Sequence, residues 1–122
     1  MGADGDGVAT LPDGGSLYVP DALPGELVQP GALTRRGEGW TADAVVLEPS
    51  PDRITPPCPH FGPCGGCTLQ HWRDSAYAEW KAGQVVDALR RMDVAIDAPV
   101  LARSPPASRR RMDLAIRRDG PA

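Results

Sequence analysis

The sequence predicts a mainly β chain with one helix: a small barrel of the OB sort, then a cysteine-rich loop, then an α-helix. Three observations lead to that class. Residues 1–52 break into short apolar runs punctuated by Gly, Pro and Asp, the signature of short strands joined by tight turns. All three cysteines of the chain fall between Cys58 and Cys67. Only residues 75–93 repeat their apolar side chains at helical spacing.

In order along the chain, Asp13-Gly14-Gly15 lies between Val8-Ala9-Thr10-Leu11 and Leu17-Tyr18-Val19, which predicts a hairpin. Pro20 to Pro24 reads as a loop and Gly25 to Val28 as a strand. Pro30-Gly31 interrupts that strand and predicts a bulge or a barrel corner. A β pattern resumes from Trp40 to Glu48. Pro49-Ser50-Pro51 closes the unit at residue 52, and the stretch up to Pro56-Pro57, which carries Arg53, reads as a linker.

The segment 53–74 contains the cysteines, spaced C-x5-C-x2-C as Cys58, Cys64 and Cys67. Thiolates this close, separated by Gly and Pro, are placed to converge on a metal, because tight turns can aim several side chains at one point. An odd cysteine count argues against a disulfide framework. The spacing leaves the metal open. A cubane iron–sulfur cluster takes four thiolates where this chain offers three. Zinc has a local fourth ligand in His71, completing Cys3His through Cys67-x3-His71, with His60 a poorer candidate.

Residues 75–98 hold the helix, with Ala78, Ala82, Val85, Leu89 and Met92 as its apolar stripe. Asp74 or Ser75 can supply the N-cap oxygen, and Arg90 and Arg91 complement the last turn. Trp72 and Trp80 flank the helix start as cover for the cysteine loop, and Lys81 falls on a solvated face. Residues 99–122 carry six arginines against two acids, a net of +4. Within them Arg109, Arg110 and Arg111 are candidates for phosphate contact, with a solvated charge run as the alternative. Met112, Leu114 and Ile116 alternate with polar or small residues, as a half-buried strand does.

The chain has 122 residues, six of them aromatic, with 14 Gly and 14 Pro, so a large single core is excluded. The net charge of −3 is uneven: residues 1–52 have nine acids and two bases, whereas residues 53–122 have seven acids and eleven bases. The acidic front half argues against strong RNA binding by the barrel alone. Met1 to Asp6 has neither a basic nor an apolar leader region, and no stretch approaches the length of a membrane span, so the reading is cytoplasmic with no membrane partner.

The run Pro56-Pro57-Cys58-Pro59-His60-Phe61-Gly62, with Cys64-Gly65-Gly66-Cys67 and Leu69-Gln70-His71, resembles the iron–sulfur segment of the bacterial RNA (uracil-C5)-methyltransferases. That family methylates uridines of ribosomal or transfer RNA with S-adenosylmethionine. Upstream, Gly5-Asp6-Gly7-Val8-Ala9 and Tyr18-Val19-Pro20 through Ala22-Leu23-Pro24-Gly25-Glu26 resemble its TRAM domain, a small OB-like barrel that binds RNA. Downstream, Lys81 matches the family's Lys-containing helix, and 99–122 matches a basic entry into its central domain.

The resemblance implies a [4Fe-4S] cluster on Cys58, Cys64 and Cys67 whose fourth cysteine lies further downstream, and an RNA partner, ribosomal more than transfer RNA, with no DNA. It further implies that the S-adenosylmethionine site, the nucleophilic Cys and the basic Glu belong to a catalytic α/β domain absent from these residues, which would be the natural packing partner. One more strand would precede the Gly-Asp-Gly turn. The expectation is an N-terminal part of such an enzyme, inactive alone. The reading from residues alone keeps a free-standing zinc-binding interaction module as its alternative.

Overall fold

A computed structural model describes residues 1–2, 4–105 and 108. Six strands and one helix follow in the order β1 (Gly7–Thr10), β2 (Ser16–Val19), β3 (Leu27–Pro30), β4 (Thr34–Arg36), β5 (Gly39–Thr41), β6 (Ala44–Glu48) and α1 (Asp74–Arg90). Among the described residues the chain is therefore mainly β with a single helix. The strands are distributed over two sheets, one of four strands in the order β1-β2-β5-β4 and one of two, β3-β6.

The hairpin β1–β2 forms where the Asp-Gly-Gly signal predicts it, antiparallel with Gly7 opposite Val19 and Thr10 opposite Ser16. Its turn is closed by Leu11 N–H on the Gly15 carbonyl (2.8 Å) and Gly14 N–H on the Leu11 carbonyl (2.9 Å). The Asp13 side chain accepts from Gly15 N–H at 2.9 Å. Gly14 sits at φ 85°, a conformation that a Cβ would disfavour. β2 then pairs in parallel with β5, which pairs antiparallel with β4. β3 runs antiparallel to β6, and its irregularity falls between Leu27 and Val28 rather than at Pro30-Gly31. Pro30 instead ends the strand.

The core is small, as the composition requires. Leu17, Val19, Ala22 and Ala42 are buried together, with Leu11, Val28, Trp40 and Ala44 packed around them. β2 alternates buried and open positions, the period-two pattern of a half-buried strand. On the second sheet Leu27, Val45 and Leu47 stay exposed.

Residues 49–57 are not a loose linker. Arg73 N–H donates to the Asp52 carbonyl (2.7 Å) and Ile54 N–H to the His71 carbonyl (2.8 Å). Arg53 forms an isolated antiparallel bridge with Trp72. The cysteine loop is thus a detour whose two ends are sewn together beside the sheets.

The helix begins and ends differently from the sequence expectation. Arg73 occupies the N-cap, with no side-chain cap bond. Asp74 lies in the first turn and pairs with Arg103 instead. The helix ends at Arg90, well short of residue 98, where Asp93 takes a left-handed conformation (φ 59°). Val94 N–H then reaches back to the Leu89 carbonyl (3.0 Å) and Asp93 N–H to that of Arg90 (3.0 Å). This is a Schellman-type ending with Asp where Gly is usual. Of the predicted stripe only Ala82 is buried, while Val85 and Met92 are exposed at 44% and 72%. The predicted strand at Met112 to Ile116 and the arginines 109–111 lie outside the described residues.

Candidate functional site

Pro57 leads into a chain of turns from Cys58 to Cys67. Phe61 N–H bonds the Cys58 carbonyl (3.2 Å), Cys64 N–H the His60 carbonyl (3.1 Å) and Gly65 N–H the Gly62 carbonyl (3.1 Å). Gly62 (φ 87°) and Gly65 (φ 67°) take the left-handed conformations these turns need. All three cysteines are free thiols, Cys58 half-buried and Cys64 and Cys67 exposed. The Cys64 sulfur leans over Gly66, where a Cβ would sit 3.4 Å from it.

The loop therefore presents three accessible thiols, but it does not gather them. Among the described residues no three His, Cys, Asp or Glu side chains come close enough to share a metal ion. The donor chemistry suits a metal, whereas the arrangement as it stands does not hold one. His71, the proposed fourth ligand for zinc, is not brought to the thiols as part of such a group. It is 2% exposed, with its ring 5.2 Å from that of Phe61. Burial pushes its pKa down, and the charge of Arg53 pushes the same way. The carboxylate and backbone of Asp21 and the charge of Glu26 oppose that shift. Neither ring nitrogen has a hydrogen bond of good geometry among the described residues. Its main chain is tied down as well, the His71 carbonyl accepting from Ile54 N–H at 2.8 Å.

Sequence reasoning missed the residue pair that anchors the loop. The Glu26 side chain is fully buried and accepts from Leu23 N–H (2.8 Å), Ser50 N–H (3.1 Å), and Arg53 through Nε (2.5 Å) and a terminal nitrogen (2.7 Å). The same guanidinium donates to the Asp21 carbonyl at 2.7 Å. Burial alone would raise the Glu26 pKa, but the Arg53 hydrogen bonds, the two backbone N–H groups and the Arg53 charge overcome it and hold it at about 2. A carboxylate four residues before a strand's end and an arginine in a Pro-rich stretch carry no sequence signal that they meet.

On the other side of the loop, Trp72, Tyr77 and Trp80 form an aromatic cluster with centroid separations of 5.7 to 6.5 Å. Trp72 is buried. Lys81 places its ammonium 5.6 Å from the Tyr77 ring and 5.5 Å from that of Trp80. Lys81 is solvated, as expected, but it also caps these rings. On the four-stranded sheet, Arg35 stacks over Trp40 (4.8 Å) and Arg36 over Tyr18 (5.2 Å), while Asp4 and Asp6 neutralise Arg36.

Comparison with known proteins gives this arrangement a relationship. No protein-family model matches the chain. An RNA methyltransferase of Brucella suis, itself uncharacterised, is 44% identical over 118 residues, which are 97% of this chain and 27% of that protein. Another from Caulobacter vibrioides is 43% identical over 120 residues, 98% of this chain and 28% of that one. The chain is a relative of RNA methyltransferases. It spans little more than a quarter of these two relatives' length. A 23S rRNA (uracil(1939)-C(5))-methyltransferase of Psychrobacter arcticus is 40% identical over 88 residues, 70% of this chain and 17% of that one. Among solved structures, the tRNA (uracil-54, C5)-methyltransferase of Pyrococcus abyssi, in complex with S-adenosyl-L-homocysteine, superimposes with a TM-score of 0.51 at 26% identity. That match covers 73% of this chain and 22% of the archaeal enzyme. Among the described residues no helix is long and apolar enough to cross a membrane.

Proposed function

We propose that this chain is the RNA-engaging, iron–sulfur-binding part of an S-adenosylmethionine-dependent RNA uracil-C5 methyltransferase, with ribosomal RNA as its substrate and the cytoplasm as its place. The observation that carries this reading is a similarity to RNA methyltransferases at 44% identity that runs through 97% of the chain, the cysteine segment included. Two relatives whose names specify the base, one acting on 23S rRNA and one on tRNA, both modify C5 of uracil. In this reading residues 1–52 are the TRAM barrel, Cys58, Cys64 and Cys67 are the protein thiolates of a [4Fe-4S] cluster, and S-adenosylmethionine binds elsewhere in the enzyme. The exposure of Cys64 and Cys67 and the two left-handed glycines support a loop that can close around a cluster. The cluster would tie segments distant in sequence and take no part in methyl transfer.

RNA contact falls to the basic half of the chain, with Arg109, Arg110 and Arg111 as its densest cluster. Each phosphate neutralised contributes to a steep salt dependence. The test is anisotropy of a fluorescent 23S-type stem-loop titrated with the chain over a salt series. Binding should be weak and strongly salt-dependent, and replacing Arg109, Arg110 and Arg111 together with Ala should remove most of it. Affinity that survives both the triple substitution and high salt would overturn the assignment to the basic segment.

A further inference from the structure

The cleft between the end of the cysteine loop and the start of α1 has Cys67, the last of the three thiols, in its lining, but its larger part is built from side chains the cysteine loop does not use. It has a volume of about 520 Å³, within the usual range for small-ligand sites of about 300–1,000 Å³. Ile54, Leu69 and Trp72 form its apolar wall, and Tyr77, Trp80 and Lys81 its helical side. Tyr77 and Trp80 are half-buried and inclined at 40° with centroids 6.2 Å apart, so each ring has both a packed and an open part.

The charge around this cleft is not balanced. Its two carboxylates are engaged: Asp4 with Arg36 and Asp74 with Arg103. Among the described residues Lys81 has no carboxylate within 4 Å, and its ammonium lies over the aromatic rings. Aromatic faces beside an unbalanced cation match a base with its phosphate.

We propose that this cleft takes one unpaired nucleotide of the RNA, its base against Tyr77 and Trp80 and its phosphate on Lys81. The inference rests on the RNA reading above and adds to it a contact point distinct from Arg109, Arg110 and Arg111. Base–aromatic stacking is sequence-tolerant, so the site positions a single strand and does not select a base.

The test is anisotropy of a fluorescein-labelled single-stranded oligouridylate with the whole chain, checked by circular dichroism for folding. Tyr77→Ala should weaken binding about five- to a hundredfold, the range set by stacking one base. Lys81→Gln alters an exposed side chain, so it tests the same site without risk to the fold, and should weaken binding several-fold. Tryptophan emission should be quenched by the oligonucleotide, and an RNA duplex of equal length should compete poorly. If both variants bind like wild type while the Arg109, Arg110 and Arg111 substitution abolishes binding, the RNA reading stands and the cleft proposal falls. Equal competition by duplex would also overturn it. If wild type binds neither oligonucleotide nor stem-loop, both readings fall together.

Discussion

Replacing Arg53 with Met breaks its ion pair with Glu26, which fastens the strand region to the cysteine segment. The Glu26 carboxylate would then be left buried with only the N–H groups of Leu23 and Ser50. The size of the effect follows from its proton affinity. A fall from the ordinary 4.5 to about 2 corresponds to about 3 kcal/mol favouring the ionised form in the folded chain. Stranding one member of a buried pair typically costs about 3–5 kcal/mol, so the two routes agree. The sign with pH is fixed, because the folded pKa is depressed. The contribution is present above pH 4.5 and is lost as pH falls through about 2, below which the carboxylate is protonated in both states. Urea unfolding followed by tryptophan fluorescence should therefore show Arg53→Met less stable than wild type by about 3 kcal/mol at pH 7, the gap narrowing steadily below pH 4. Arg53→Lys, which keeps the charge but loses the two-pronged geometry, should fall between them. A deficit below about 1 kcal/mol, or one that does not change with pH, would refute the argument.

Three further outcomes are expected. Gly39→Ala would place a Cβ 2.8 Å from the Ser16 carbonyl and 3.0 Å from the Tyr18 ring, so it should destabilise by about 1–3 kcal/mol, whereas Gly83→Ala meets nothing within 4 Å inside α1 and should stabilise by about 0.5–1 kcal/mol; thermal unfolding of the two ranks them. His71 is held neutral by burial, so folding stability should decline as pH drops below 6.5 toward its lowered folded value, and His71→Phe should flatten that part of the profile in urea titrations at a series of pH values. The chain alone, incubated with labelled S-adenosylmethionine and a uridine stem-loop, should incorporate label only at the level of a buffer control.

How far the sequence disclosed this molecule depends on the range of the interaction concerned. The β1–β2 hairpin was legible because Asp13-Gly14-Gly15 encodes its turn locally. β4 was not, since its three exposed residues, Thr34, Arg35 and Arg36, carry no alternation against a core. The helix was legible in kind, but its end was not, because Asp93 adopts a conformation for which Gly is the usual marker. The apolar stripe included Val85, which the structure leaves exposed, because helical spacing marks a face without saying how much chain will cover it. Arg53 read as linker because its partner Glu26 lies 27 residues away, and no local pattern announces a tertiary ion pair. The cysteines stood out by spacing, yet spacing says nothing of where side chains point, and His71 shows this most plainly. Its position four residues after Cys67 suggested ligation, while the structure places the ring against Phe61.

The most direct test of the account is anaerobic reconstitution of the chain with ferrous iron and sulfide, followed by iron and acid-labile sulfide analysis and the visible spectrum. The account predicts bound iron and sulfide that decay in air, lost from Cys58→Ala, Cys64→Ala and Cys67→Ala alike, and retained by His71→Ala. A chain that binds zinc through His71 and takes up no cluster, or one whose iron content ignores all three cysteines, would contradict it.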